Sequence, residues 1–427
     1  MRSRITITIA GATLALTAIV VPALAAVGDD DDATAGQSGR VRRHISPGFL
    51  SIDCPDGAPA CPELAIRGDA EYVLPGYGPA PFRGFGDPSI RRDPATGRLW
   101  MAYSWLHVSP LAQIGGQRLV AVVDIHLSHS DDGGSTWTLD GPLWTSQPET
   151  DPGGSGQQGF SSHEVVNLAA GAGGTWYAVH LRYFTPKDSR LYSPRLDSIQ
   201  FRIAQASSPL LLAGAPEASL GGVYTARGWN LDVNLADLDP ELRQCSFWNE
   251  PALHYEGGTL YLEGECCVYG PTGSHLDDRG FVAVFATTPE GDVRSWRWRY
   301  LGKLADHLDA VALGGENLTQ TDLVRGRDGA LLAVVTPNHW DDRLEADIHE
   351  GCRVVEVASL EPPALRLDAA GTPVVRAVLT ASDLVDYGTA GCTYEPASSA
   401  GVLLVRRVFT TVPPEMVWSI HRTGLRP

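Results

Sequence analysis

Very little in this chain could build a helical fold. No stretch carries apolar residues at a sustained 3.6-residue spacing with caps at its ends, and 46 glycines and 30 prolines interrupt the sequence throughout. Basic residues are scarce as well: 33 lysines and arginines face 50 aspartates and glutamates, a net charge of −17 over 427 residues. Such a chain repels nucleic acid and anionic membrane, so neither is expected as a partner. None of the seven cysteines stands in a Cys-x-x-Cys pair, which argues against zinc-ribbon chemistry. Beyond residue 25 no segment is apolar enough to cross a bilayer.

What is present begins with Met1-Arg2-Ser3-Arg4, an uncharged run from Ile5 to Ala25, and Ala23-Leu24-Ala25 ahead of four aspartates. A positive start, an apolar middle and a small-residue cleavage point describe a secretory signal peptide over residues 1–26. The protein is then secreted or periplasmic, free of the membrane after cleavage, and two units more negative without Arg2 and Arg4. Residues 27–46, acidic and glycine-containing and then basic, read as a flexible leader. In an exported chain the cysteines pair. The expected bridges are Cys54 with Cys61, Cys245 with Cys266 or Cys267, and Cys352 with Cys392.

Short β-rich runs separated by Gly, Pro and Asp turns fill the rest, as in RLWMAYSW, LVAVVDIHL, TWYAVHLRYF and GALLAVVTP. The chain is all-β. One opening recurs five times: an acid, a short strand, a tight turn and a second strand, led by Asp87, Glu164, Glu250, Asp322 and Glu395 at intervals of 77, 86, 72 and 73. Such an interval fits a four-stranded antiparallel blade with its loops. Radial repetition of blades removes exposed sheet edges, so residues 47–427 are expected to form a single β-propeller, with five blades and six as the alternative. Only some 30 residues follow Glu395. Strands around Leu50 to Cys54 or Tyr72 to Gly76 are therefore expected to complete the last blade. The five acids would ring one mouth, where crowding raises pKa values. Asp322 and Glu395 are equally suited to capping strand ends.

The stretch Ser130 to Trp137 reads SxDxGxTW and resembles the Asp-box of sialidases and related propellers. Its residues suit a hairpin in the first blade: Asp132 accepts amide hydrogen bonds, Gly134 supplies a backbone conformation other residues resist, and Trp137 buries its ring. Ser130 and Thr136 complete the motif. Its role is structural, and it leaves the reaction open.

A second resemblance bears on chemistry. Asp87-Pro88-Ser89-Ile90, followed by Leu99 to Ser104, is similar to the first-blade motif of five-bladed glycosidases of family 43. Glu250-Pro251-Ala252-Leu253, followed by Gly257-Gly258 and Leu260-Tyr261-Leu262, resembles their third-blade motif. The resemblance implies Asp87 as general base, Glu250 as general acid and Glu164 as the second-blade carboxylate that tunes the acid. Two departures stand out: Glu164 is one methylene longer than the family's Asp, and Glu250 lacks an intervening Gly. Glycosidic cleavage needs one group to protonate the leaving oxygen and one to activate water or attack carbon, so the pairing is chemically apt. Trp105, Phe160, Trp248 and Tyr394 are candidates to stack on sugars, Trp248 foremost, with His163 and Arg182 as polar contacts. The sialidase likeness ends at Phe82-Arg83-Gly84-Phe85, where that family has Phe-Arg-Ile-Pro; Arg83, Arg182 and Arg325 are the residues available for a substitute anion clamp.

Two functional readings stand at this point: a glycan-acting hydrolase using carboxylate acid/base catalysis, and a non-catalytic propeller that binds a glycan or a protein. Both fit a monomer with a carbohydrate partner. A carboxylate ring also suits Ca²⁺, a hard cation that prefers oxygen ligands.

Overall fold

The computed structural model describes residues 49–76, 78–109, 119–187, 195–225, 228–270, 276–341, 346–384, 389–411 and 414–427. The signal peptide and leader lie outside them. The described chain is mostly β, with one α-helix, His307–Leu313, closed at its start by an Asp306/Asp309 capping box.

Four antiparallel modules follow one another. The first contains β1 (Phe82–Arg92), β2 (Leu99–Val108), β3 (Ala121–Ser130) and β4 (Trp137–Trp144). The second contains β5 (Gln158–Ala170), β6 (Trp176–Pro186), β7 (Gln200–Ala206) and β8 (Glu217–Gly221). The third contains β9 (Phe247–Glu256), β10 (Thr259–Cys267), β11 (Phe281–Thr287) and β12 (Arg299–Asp306). The fourth contains β13 (Asn317–Arg325), β14 (Leu331–Asp341), β15 (Cys352–Leu360) and β16 (Val375–Thr380). A fifth module has three strands of its own, β17 (Thr389–Thr393), β18 (Leu403–Thr411) and β19 (Pro414–Arg422).

Several strands are buried on both faces, which is why they read as continuous apolar runs rather than alternating ones. Hydrophobic cores lie at every junction between modules. Trp100, Ile125 and Trp144 of the first meet Val166, Trp176 and Ala204 of the second; Tyr183 and Phe201 meet Trp248 and Phe285; Val284 and Leu304 meet Leu318 and Val355; Val334 and Leu379 meet Tyr394 and Leu404; and Leu403 and Trp418 return to Met101 and Tyr103. The cores therefore link the modules in cyclic order.

The closing contacts differ from the expected ones. Leu50–Asp53 pairs in parallel with β16 of the fourth module, held by the Asp53 carboxylate, which accepts from Thr380 Oγ1 and Ser382 N, both at 2.9 Å. Val73–Leu74 forms a small hairpin with Gly78–Pro79. The edge of β19 is instead met by Phe82–Gly84 at the start of β1, and by Glu63 opposite His421. The reason is packing: β1 runs close enough to Trp418 that a Cβ on Gly86 would lie 2.1 Å from the indole, so only glycine permits the approach.

The cysteines pair as Cys54–Cys61, Cys245–Cys266 and Cys352–Cys392, and buried Cys267 takes part in none of these bridges. The expected hairpin forms between β3 and β4. Asp132 Oδ1 accepts from Ser130 Oγ at 2.8 Å and Thr136 N at 2.9 Å, and Oδ2 accepts from Thr136 Oγ1 at 2.7 Å. These bonds hold the Asp132 carboxyl down at about 2. Gly134 has φ 91° and Trp137 is buried. Ser399 N donates to Gly133 O at 2.6 Å, so the loop also fastens the first module to the fifth.

One buried polar knot ties all five first strands. Arg91 of β1 forms an ion pair with Asp322 of β13, and its second amino group reaches Asp322 Oδ2 at 3.3 Å. Asn167 of β5 donates to Asp322 Oδ1 at 3.1 Å and accepts from Leu253 N of β9 at 2.9 Å. Thr393 of β17 donates to Asp322 Oδ2 at 2.7 Å. Removing one partner of a buried pair leaves the other charge unpaid for in solvation. Asp322→Ala is accordingly expected to cost about 3–5 kcal/mol of unfolding free energy in urea titration; a loss below about 1 kcal/mol would show that the knot does not hold the modules together.

Candidate active site

Every first strand carries the same irregularity. Pairing with the second strand breaks between Gly86 and Ser89, Glu164 and Asn167, Asn249 and Ala252, Thr319 and Asp322, and Thr389 and Cys392. The bulges turn toward one small common cavity, lined among others by Asp87, Val165, Pro251, Thr321 and Gly391. At three bulges a non-glycine residue takes a left-handed backbone: Asp87 at φ 44°, Val165 at 51° and Glu250 at 48°. Such conformations cost of order 1–3 kcal/mol each and persist where the surroundings impose them.

This register corrects the phase of the repeat. Asp87 and Glu250 are equivalent, but the residue matching them in the second module is Val165. Glu164 precedes it by one position, and Asp322 follows its own bulge, matching Ser89 and Asn167. Because side chains alternate along a strand, a one-residue offset changes the face a group occupies. The five acids are therefore not a ring of equivalent carboxylates. Asp322 is used in the axial knot, and Glu395 accepts from Arg92 N at 3.1 Å and Ala397 N at 3.0 Å, the capping alternative.

Asp87, Glu164 and Glu250 nonetheless come within electrostatic reach of one another. Ser104 Oγ donates to Asp87 Oδ2 at 2.8 Å and accepts from Val165 N at 3.1 Å, linking the first two modules. Tyr183 OH donates to Glu164 Oε2 at 2.8 Å. Burial pushes the Glu250 carboxyl well above its ordinary range, and the negative charges of Asp87, Glu265 and Glu164 add to that; Arg407 opposes it. Sequence reading missed Glu265, Asn249 and Arg407. Glu265 accepts from Asn317 Nδ2 at 2.6 Å, Thr319 Oγ1 at 3.1 Å and Asn249 Nδ2 at 3.3 Å. The available signal was Glu263 and Glu265 alternating in the otherwise apolar LYLEGECC.

The proposed sugar contacts scatter. Trp248 and Tyr394 are fully buried in separate cores, with no surface on which a ring could stack, which corrects both. Phe160 packs against Val120 and Val122. Half-buried Trp105 is stacked on His126 at 4.8 Å and tilted over His107 at 4.6 Å. His163 lies 3.1 Å from His180, and burial, reinforced by Arg182, pushes it down to about 3, so it is neutral. Arg182 pairs with Glu149, Arg83 with Glu71 and Arg325 with Glu256, three separate ion pairs that do not form a clamp. Among the described residues no group of three or more His, Cys, Asp or Glu side chains is arranged to hold a metal ion.

No family model matches the chain, and no curated protein matches it in sequence. Its structural neighbours include glycoside hydrolases. It is similar to sucrose-6-phosphate hydrolase from Lactobacillus gasseri at 11% identity and a TM-score of 0.41, over 80% of this chain and 58% of that one. It is also similar to an arabinanase from Bacillus subtilis at 12% identity and 0.38, covering 80% and 96% of the two chains. An α-L-arabinofuranosidase from Lactobacillus brevis follows at 12% and 0.38, covering 68% and 75%. With every score below 0.5, no assignment of chemistry to this chain rests on them.

Beside the cavity, Glu263 is fully buried with neither carboxyl oxygen in hydrogen-bond geometry to a partner. Burial raises its pKa to about 8, with Thr321 lowering it slightly and Asp322 raising it. The folded chain thus holds this proton between about pH 4.5 and pH 8 while the unfolded chain releases it. Stability falls as pH rises through that window, by a few kcal/mol at about 1.4 per unit. Glu263→Gln is expected to remove that part of the decline, so that urea midpoints at pH 5 and pH 8.5 converge relative to wild type; an unchanged gap would place the proton elsewhere.

Proposed function

We propose that the chain is an exported five-bladed β-propeller that hydrolyses glycosidic bonds, with Glu250 as general acid, Asp87 as the carboxylate that activates water or attacks carbon, and Glu164 as the group that tunes Glu250. Five modules rather than six are favoured because the inter-module cores return from the fifth to the first. The three disulfides suit an oxidising, extracytoplasmic compartment.

The observation that carries the reading is the setting of Glu250. A general acid must keep its proton at working pH, and a partly buried carboxyl facing Asp87, Glu265 and Glu164 is shifted in that direction. Asp87, donated a hydrogen bond by Ser104, is suited to the complementary role. The bulges explain how both arrive at one place: each carries its acid out of the sheet register toward the axis. Leaving-group protonation by Glu250 and attack assisted by Asp87 would then proceed within one small volume.

A specific observation favours the second reading. Asp87 and Glu164 are only 5% and 4% exposed, as expected of a scaffold that binds a glycan or protein without turning it over. Chromogenic glycosides separate the two. Asp87→Asn and Glu250→Gln are each expected to lower kcat/KM by about 10²-fold or more with native far-ultraviolet circular dichroism, and wild-type activity to fall on the alkaline side as Glu250 ionises. Full activity in either variant removes the assignment; wild-type binding on a glycan array without hydrolysis supports the second reading.

A further inference from the structure

We propose that Glu265 is a positioning residue of this site: anchored by the fourth module, it holds Asn249 and through it the orientation of the Glu250 carboxyl, a role that rests on Glu250 being the acid of the proposed hydrolase.

Glu250 stands in a left-handed conformation that a glutamate adopts only under constraint. The constraint comes from both sides of the bulge. On one side Leu253 N is bound by Asn167 Oδ1 at 2.9 Å. On the other, Asn249 is the last residue paired with β10 before the bulge, and its partner is Glu265. The Asn249 amide nitrogen faces two carboxylates at once, Glu265 Oε2 at 3.3 Å and Glu250 Oε1 at 3.5 Å. Glu265 itself is 4% exposed and is held from the neighbouring module by Asn317 and Thr319 at 2.6 and 3.1 Å. The chain of contacts therefore runs from β13 through Glu265 and Asn249 to the acid. The charged groups facing Glu250 are Asp87 from β1, Glu164 from β5, Glu265 from β10 and Arg407 from β18. Glu265 is joined to Glu250 by a shared donor, the Asn249 amide.

Two substitutions act on this chain with opposite signs. Glu265→Gln removes a negative charge beside Glu250 and is expected to raise its acid dissociation constant about tenfold. Asn249→Leu keeps Glu265 but removes the donor between the carboxyls, so it is expected to lower the same constant. The titration is read from the Glu250 side-chain carboxyl carbon by NMR of protein labelled with ¹³C-glutamate, with Glu250→Gln identifying the resonance. An unmoved midpoint in Glu265→Gln overturns the proposal. If that variant does not fold, Asn249→Leu decides alone: a higher midpoint supports the positioning role and an unchanged one overturns it. With a turned-over glycoside, Glu265→Gln is also expected to lower kcat with KM within about twofold, the mark of a contact that matters in the transition state. Should wild type hydrolyse nothing while the midpoints shift as stated, the hydrolase reading fails and the positioning of Glu250 stands.

Discussion

The Arg91–Asp322 pair is the constraint on which the rest depends. A guanidinium and a carboxylate buried together cannot be solvated by water, so each must be satisfied by protein. Here the connected groups come from every module: Asn167 and Thr393 donate to Asp322, and the Leu253 amide of the third module donates to Asn167 in turn. Residues up to 303 positions apart are thereby required to meet, as in the Ile90 amide that reaches Thr393 Oγ1 at 3.4 Å. Hydrophobic packing between modules is non-directional and tolerates sliding. A charged knot at their inner edges does not, and it sets the relative height of the five first strands.

That height decides where the bulges fall. Just before the knot along each first strand, pairing skips two residues and the backbone turns toward the central space. Two acids, Asp87 and Glu250, occupy equivalent bulges in non-adjacent modules, and valine takes the same place between them at φ 51°. A β-branched residue in that conformation is a genuine outlier, which indicates that the bulge is imposed by the architecture and not by the residue it carries. The acids use a geometry that exists without them. Charge follows from the same arrangement: burial raises the Glu250 pKa, and the crowding of Asp87, Glu265 and Glu164 raises it further, with Arg407 in opposition.

Local signals in the chain carried the all-β character, the five-fold recurrence and the hairpin at Ser130 to Trp137, because each depends on residues within a few positions of one another. The cysteine pairs were also readable, apart from the choice of Cys266 over Cys267, which strand facing settled. Asp87 and Glu250 were legible through short patterns of acid, proline and turn. Glu164 was legible as an acid but not in its phase: AGAGG follows it where Asp87 is followed by a differently spaced turn, and only pairing reveals the one-residue offset.

Aromatic content misled for a related reason. Trp248 sits two residues before Glu250, yet it is buried against Phe285 of its own module and the core shared with Tyr183 and Phe201 of the second, while Tyr394 is enclosed between the fourth and fifth modules. By itself the sequence determined the repeating strand pattern, the turn chemistry and the stock of acids, all properties of neighbouring residues. Tertiary structure alone decided which of those acids share a volume, that Glu265 and Arg407 join them, and that Asp322 is committed to Arg91. The physical reason is that electrostatic and hydrogen-bond partnerships act over ångströms, and the chain brings those distances about only when strands far apart in sequence are packed side by side.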